Sequence, residues 1–149
     1  MIVEKQWGYE EYLANQETYT GKRLHIFLNR ISSVHCHIDK TETFLCESGL
    51  VHIVTYLVQL VDIDVLILNP NPTILTPGNS ITITPGTWHS FYSGTTATII
   101  EFSDKHSDLD VYRLAPSGAM SYPPNLKKDV LVADTDWEKY KKVLDSKSI

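Results

Sequence analysis

An all-β fold of short strands is what this sequence of 149 residues predicts. From Leu24 to about Phe102, apolar and polar residues alternate in short segments rich in Val, Ile, Thr, Tyr and Phe, the pattern of half-buried strands. Gly, Pro, Asn and Asp punctuate these segments, and their close spacing fits a sandwich or barrel.

In chain order the expected strands are Lys22 to Leu28, Ser33 to His37, Glu42 to Ser48, Leu50 to Val58, Val65 to Leu68, Thr73 to Leu75, Ser80 to Ile83, His89 to Tyr92 and Ala97 to Phe102. Asn69-Pro70-Asn71-Pro72 is expected to break the chain into an exposed loop, since proline removes a ladder donor and constrains its predecessor. The run Thr55 to Leu68 is unusually apolar. It reads either as a hairpin whose outer face a second subunit covers, or as two buried core strands. After Arg113, Pro116, Ser117-Gly118 and Pro123-Pro124 mark an irregular wrapping segment. Thr135-Asp136-Trp137-Glu138 then offers a capping box for a short C-terminal helix. Trp137, Tyr140 and Leu144 recur at helical spacing, so the helix should pack on the body or on a partner.

The length suits one domain, residues 1–149, that buries roughly two thirds of its unfolded surface. Its barrel core is expected over about 22–114 and the wrapping segment and helix over about 115–149. A formal charge of -5 with scattered Lys and Arg argues against nucleic-acid and anionic-membrane partners, which need a basic stripe. No N-terminal stretch has the pattern of a secretion signal, and no apolar run approaches ~20 residues. The expectation is a soluble, cytoplasmic protein. Cys36 and Cys46 are too few for a disulfide framework. On strands, Cys36 points away from the face of its histidine neighbours while Cys46 shares the side of Glu42, so both read as free buried thiols.

The densest chemistry lies in His35-Cys36-His37, then Glu42, then Gly49, followed by Gly78 and Pro85-Gly86-Thr87-Trp88-His89. Residues two apart on a strand project to one face, so His35 and His37 aim together. Glu42 starts the returning strand after the turn Ile38-Asp39-Lys40-Thr41, and the Pro85-Gly86 turn puts His89 beside them. Three neutral imidazoles and one carboxylate suit a first-row divalent ion, with Mn, Fe, Zn, Ni and Co all compatible. Without a metal the same residues would make a hydrogen-bonded polar cavity. His25, His52 and His106 lack such partners and read as structural or surface residues.

HCHIDKTETFLCESG and GNSITITPGTWHSFYS resemble the two cupin motifs, with Asn29, Thr84 and Ser93 standing where glycine, proline and asparagine are usual. The resemblance implies an antiparallel jelly-roll β-barrel with a metal inside its mouth and, frequently, a homodimer. Gln6-Trp7-Gly8-Tyr9-Glu10, Lys40, Ile100-Glu101-Phe102-Ser103 and Asp110-Val111-Tyr112-Arg113 are similar to the sugar-isomerase branch, the lyxose isomerases and cupin-type mannose-6-phosphate isomerases. That implies a metal-dependent isomerase or epimerase of a free or phosphorylated monosaccharide. A cupin dioxygenase and a non-catalytic carbohydrate-binding cupin are the alternatives.

Isomerisation needs a metal to polarise the sugar oxygens and a base to move a proton between neighbouring carbons. Glu101, inside an apolar strand and sharing the parity of Ile99, is the candidate base, and the alternative is an ion pair with Arg113 or a lysine. Lys40 is the candidate for stabilising a developing oxyanion, unless it is a solvated turn lysine. Trp88 and Trp7 are candidate walls for a sugar ring or ordinary core residues. Asp110 and Arg113 either orient hydroxyls or pair with one another.

Overall fold

The computed structural model describes residues 1–105 and 107–147, so His106, read above as a structural or surface residue, lies outside the described residues. A hairpin that the alternation pattern did not mark opens the chain, β1 (Ile2–Lys5) and β2 (Gly8–Asn15), and β2 pairs with β3 (Tyr19–Ile26). There follow β4 (Arg30–Ile31), β5 (Val34–Cys36), β6 (Glu42–Ser48), β7 (Val51–Asp62), β8 (Val65–Leu75), β9 (Ser80–Ile83), β10 (Trp88–Ser93) and β11 (Ala97–Asp104). Past the first motifs come β12 (Tyr112–Ala115), β13 (Gly118–Ala119), β14 (Lys128–Leu131) and helix α1 (Trp137–Lys147).

All described pairings are antiparallel and build two sheets. The six-stranded sheet has the order β1-β2-β3-β11-β6-β9, and the eight-stranded sheet runs β12-β5-β10-β7-β8-β14, with β4 paired to β10 and β13 to β4. Period-two alternation decides what lies between them. Leu24, Ile26, Phe44, Cys46, Ile53, Phe91 and Ile99 form the inner core, while Arg23, His25, Thr43 and Glu47 from the same strands face outward. Burying a side chain the size of Phe44 contributes about 1.5–3 kcal/mol, so this layer fixes which face of each strand turns inward. A second core, with Cys36, Val54, Tyr56, Leu66, Leu68, Trp88 and Tyr112, lies on the other face of the eight-stranded sheet, where Tyr140 of α1 covers it. Both cysteines are free and buried.

Turn chemistry explains two of the departures noted in the sequence. Asn29 has a φ of 56°, the left-handed region where glycine or asparagine is favoured over other residues. The amide of Thr87 donates to the carbonyl of Thr84 at 3.2 Å across Pro85 and Gly86, and Gly86 has a φ of 82°. That is the arrangement of a type II turn, in which proline leads and glycine supplies the positive φ.

Two sequence expectations need correction, and one of two open readings is decided in favour of a hairpin. Asn69-Pro70-Asn71-Pro72 is not a loop: it lies within β8, with Pro70 opposite Tyr56 and Pro72 opposite Val54. β14 covers the other edge of β8 only from Val65 to Leu68, so beyond that point the strand is an edge, where proline costs no ladder bond. The apolar run is a single β7–β8 hairpin that is neither wholly buried nor wholly exposed. Leu66 and Leu68 enter the core, but Leu57 is 66% exposed and Ile63, at the tip, 86% exposed. The capping box forms by half: Thr135 Oγ1 accepts from the amide of Trp137 at 3.1 Å, but the amide of Thr135 bonds Val132 O instead of Glu138. Thr135→Ala is therefore expected to cost about 1 kcal/mol and to lower the melting temperature by roughly 2–4 °C, whereas Thr135→Ser keeps the cap. Equal melting of Thr135→Ala and the parent protein would show that the cap contributes nothing.

Candidate metal centre

His35 on β5 pairs directly with His89 on β10, which brings the two motifs together at one register position. The turn before β10 is tied to the other side of the site, because the amide of Gly86 donates to the carbonyl of His37 at 2.7 Å. Glu42 opens β6 on the facing sheet. As a result, His35, His37, Glu42 and His89 offer ligand atoms that all lie within 4.8 Å of one another. Three of the four are buried, and His35 opens on the cavity.

Each imidazole is oriented from behind. His35 Nδ1 lies 2.9 Å from Ser33 O, His37 Nδ1 2.6 Å from Asp110 O, and His89 Nδ1 2.8 Å from Thr87 O. A carbonyl only accepts, so each Nδ1 carries the proton and each Nε2 turns a lone pair towards the others. His89 Nε2 lies 3.0 Å from Glu42 Oε1, yet both are buried without a hydrogen-bond partner among the described residues. Two buried acceptors facing each other at that distance repel unless a cation sits between them. The residues present therefore fit a divalent metal, and the cluster could hold one. Burial holds His35 well below the ordinary imidazole value, so it stays neutral as a ligand must. Burial opposes the charge on Glu42, and the ammonium of Lys40, 3.5 Å from its Oε2, favours it.

Beside this cluster lies a cavity of about 110 Å³ with Trp7, Leu24, Phe44 and Phe91 on its apolar side. Its polar side carries Lys5, Glu10, Lys22, Lys40, Glu101 and Arg113. Glu101 is buried and shares the inward parity of Ile99; its Oε2 is 3.4 Å from Lys40 Nζ. Its ion-pair partner is Lys40 rather than Arg113. Burial, followed by the charge of Glu42, pushes the Glu101 carboxyl above its ordinary value, against the pull of Lys40 and Lys22. Lys40 is no solvated turn residue, since it is buried with Nζ also 3.5 Å from Glu42 Oε2.

The other candidates divide. Trp7 lines the cavity and meets Phe91 edge-on at 4.9 Å. Arg113 also lines it, because it pairs with His35 across β12 and β5 and so shares that inward face. Trp88 does not: one residue from His89, it faces the other way and packs on Tyr140 at 4.9 Å. Asp110 is likewise no part of the cavity wall. Its two carboxylate oxygens accept from the amides of Ile38 and Asp39, and its carbonyl holds His37, so it braces the turn between the ligands and makes no pair with Arg113.

Lys22 and Glu10 were missed in the sequence. Lys22 is 2% exposed, lies opposite Glu101 in the β3–β11 ladder, and bonds Glu10 Oε2 at 3.2 Å. Burial works against its charge, but Glu101 and Glu10 outweigh it and raise its pKa. The signal was present: Lys22 shares the parity of Leu24 and Ile26, an inward lysine on an otherwise apolar face.

No curated protein sequence matches the chain significantly. Among solved structures it is similar to CapF, the capsular polysaccharide assembling protein from Staphylococcus aureus, with a TM-score of 0.62 and 17% identity over 77% of this chain and 31% of CapF. Oxalate decarboxylase from Bacillus subtilis gives a TM-score of 0.60 and 15% identity over 76% of this chain and 30% of the enzyme. KdgF from Halomonas sp. gives 0.53 and 11% over 67% of this chain and 82% of KdgF. This chain thus spans about a third of the length of CapF, and at these identities the likeness is one of fold, the cupin fold. Among the described residues no helix is long and apolar enough to cross a membrane. A sequence profile described as D-lyxose isomerase matches residues 5–113, a span that holds both histidine motifs, Lys40, Glu101 and Arg113, and the chain therefore belongs to the D-lyxose isomerase family.

Proposed function

We propose that the protein is a metal-dependent isomerase of a monosaccharide, interconverting aldose and ketose or epimerising the sugar. One observation carries the reading: a buried carboxylate and a buried ammonium, Glu101 and Lys40, stand 3.4 Å apart beside the His35, His37, Glu42 and His89 cluster in a single cavity.

When bound, a divalent ion supplies Lewis acidity to the sugar's carbonyl and hydroxyl oxygens. The residues around it divide the remaining work. Glu101, whose raised pKa makes it a better base near neutral pH than an exposed carboxylate, takes the proton from the hydroxyl-bearing carbon and returns it to the neighbouring carbonyl carbon, while in aldose–ketose interconversion the hydroxyl proton passes to the former carbonyl oxygen. Lys40 donates a charge-assisted hydrogen bond to the oxygen on which negative charge develops. Lys22, opposite Glu101 in the ladder and bonded to Glu10, favours the charged form of Glu101. Trp7 and Phe91 supply an apolar wall for the sugar's carbon face.

The charged lining also favours this reading over a dioxygenase. An oxygenase pocket of the same ligand set would be expected to be apolar or aromatic, whereas here Lys5, Glu10, Lys22, Lys40, Glu101 and Arg113 supply donors and acceptors for hydroxyl groups. The test is turnover in D₂O by protein of measured metal content, screened against pentoses and hexoses with and without phosphate. Deuterium at the exchanging carbon of the product is expected. A metal-loaded protein that neither converts any sugar nor exchanges that hydrogen would overturn the isomerase reading.

A further inference from the structure

Four cations and three carboxylates line the cavity, and the surplus positive charge sits at its rim. Within the cavity the charges are matched: Lys22 bonds Glu10 at 3.2 Å, while Lys40 reaches Glu42 at 3.5 Å and Glu101 at 3.4 Å. At the rim they are not. Among the described residues no carboxylate pairs with the guanidinium of Arg113, and Lys5 reaches only the oxygen of Glu10 that Lys22 leaves, at 4.0 Å. Two hydroxyls line the cavity with them. Ser117 Oγ accepts from the amide of Ser33 at 2.9 Å, and Ser33 Oγ lies 3.1 Å from His35 Nδ1, which carries a proton. Both oxygens already serve as acceptors, so both keep their own protons to donate. The edge formed by β5, β12 and the segment after it therefore presents a guanidinium and two hydroxyl donors, with the ammonium of Lys5 on the same cavity, and among the described residues no carboxylate pairs with that guanidinium.

We propose that this rim binds an oxyanion carried by the substrate at the end remote from the reacting carbons, so that the natural substrate is an anionic sugar, with a phosphate ester as the form that fits the donors best. The claim rests on the isomerase reading for its chemistry and on the rim alone for its charge. Geometry supports the placement. Arg113 is the cross-strand neighbour of His35, with Cβ atoms of such pairs about 4.5–5.5 Å apart, and Arg113 is exposed where His35 is half-buried. A sugar whose carbonyl end faces Glu101 and the histidines would carry its far end to Arg113. Guanidinium groups suit this task because their donors match two oxygens of a phosphate or carboxylate at once.

The experiment uses inorganic phosphate as the probe, titrated calorimetrically into the metal-loaded protein and into Arg113→Gln and Arg113→Lys. Saturable binding to the parent, weakened about tenfold or more in Arg113→Gln and partly restored in Arg113→Lys, is the expected result. In the sugar screen, kcat/KM for the anionic form should exceed that for the matching free sugar by about tenfold or more, and Arg113→Gln should collapse that ratio. A preference for a uronate over the phosphate ester would assign the oxyanion to a carboxylate and keep the rim's role. Absence of saturable phosphate binding, binding indifferent to Arg113, or free sugars used as well as charged ones would overturn the proposal while leaving the isomerase intact. Turnover of no sugar at all would remove the isomerase reading, and the titration would then decide the oxyanion site alone.

Discussion

Glu101→Gln is expected to keep the metal and to lose isomerisation by a factor on the order of 10²–10⁴, the usual contribution of a positioned general base. The substitution is close to isosteric, and the amide oxygen of glutamine still accepts from Lys40, so the cavity should hold its shape. What it loses is the capacity to take a proton. Glu101 is suited to that task because burial and the charge of Glu42 raise its pKa, while Lys40 and Lys22 keep its charged form within reach. A base that is too acidic takes the proton poorly, and one that is too basic is already protonated at neutral pH. Steady-state turnover, set beside metal content and the far-ultraviolet circular dichroism of the same preparation, separates the outcomes. Full turnover in the variant would remove Glu101 from the chemistry, and joint loss of metal and activity would make it a support of the ligand cluster instead.

Metal loading is expected to raise the melting temperature, and His89→Ala to abolish both the rise and the bound ion. An ion present at a hundred times its dissociation constant stabilises the folded state by about 2.7 kcal/mol, which for a chain of this size shifts the midpoint by roughly 5–10 °C. The effect follows from the arrangement of acceptors. His89 Nε2 and Glu42 Oε1 face each other 3.0 Å apart, buried and without hydrogen-bond partners among the described residues, so a cation relieves a repulsion as well as forming bonds. His89 is the informative position because it is fully buried, braced by Thr87 O, and paired with His35 across the β5–β10 ladder. Elemental analysis and thermal melts with Mn, Fe, Zn, Ni and Co in turn make the comparison. If none of these ions moves the midpoint of the parent protein, the cluster is a polar cavity and not a metal site.

Local alternation was enough to read much of this molecule. Because side chains on a strand repeat every second residue, His35 and His37 had to share a face, Glu101 had to follow Ile99, and Cys36 had to turn away from its neighbours. The turn residues Gly49, Pro85 and Gly86 delimited the strands that carry Glu42 and His89, so the clustering of the four candidate ligands and the strands β6, β9 and most of β11 were legible without coordinates. Thr135 and the spacing of Trp137 and Tyr140 likewise announced α1.

Which strands become neighbours depends on pairings between distant parts of the chain, and there the sequence was silent. The N-terminal hairpin adds β1 and β2 to the edge of the six-stranded sheet, and that addition brings Glu10 to Lys22 and Lys5 to the cavity rim. Trp88 faces α1 because the second face of its sheet is covered, a fact no local pattern carries. Pro70 and Pro72 could remain in β8 because β14 pairs it only as far as Leu68 and leaves beyond that point no partner strand whose carbonyls need a donor. Sequence thus determined which side chains cluster as candidate ligands and the face each presents, since these follow from a two-residue repeat. The tertiary structure decided which charges surround them, because strand adjacency is set by long-range burial that a window of neighbouring residues does not contain.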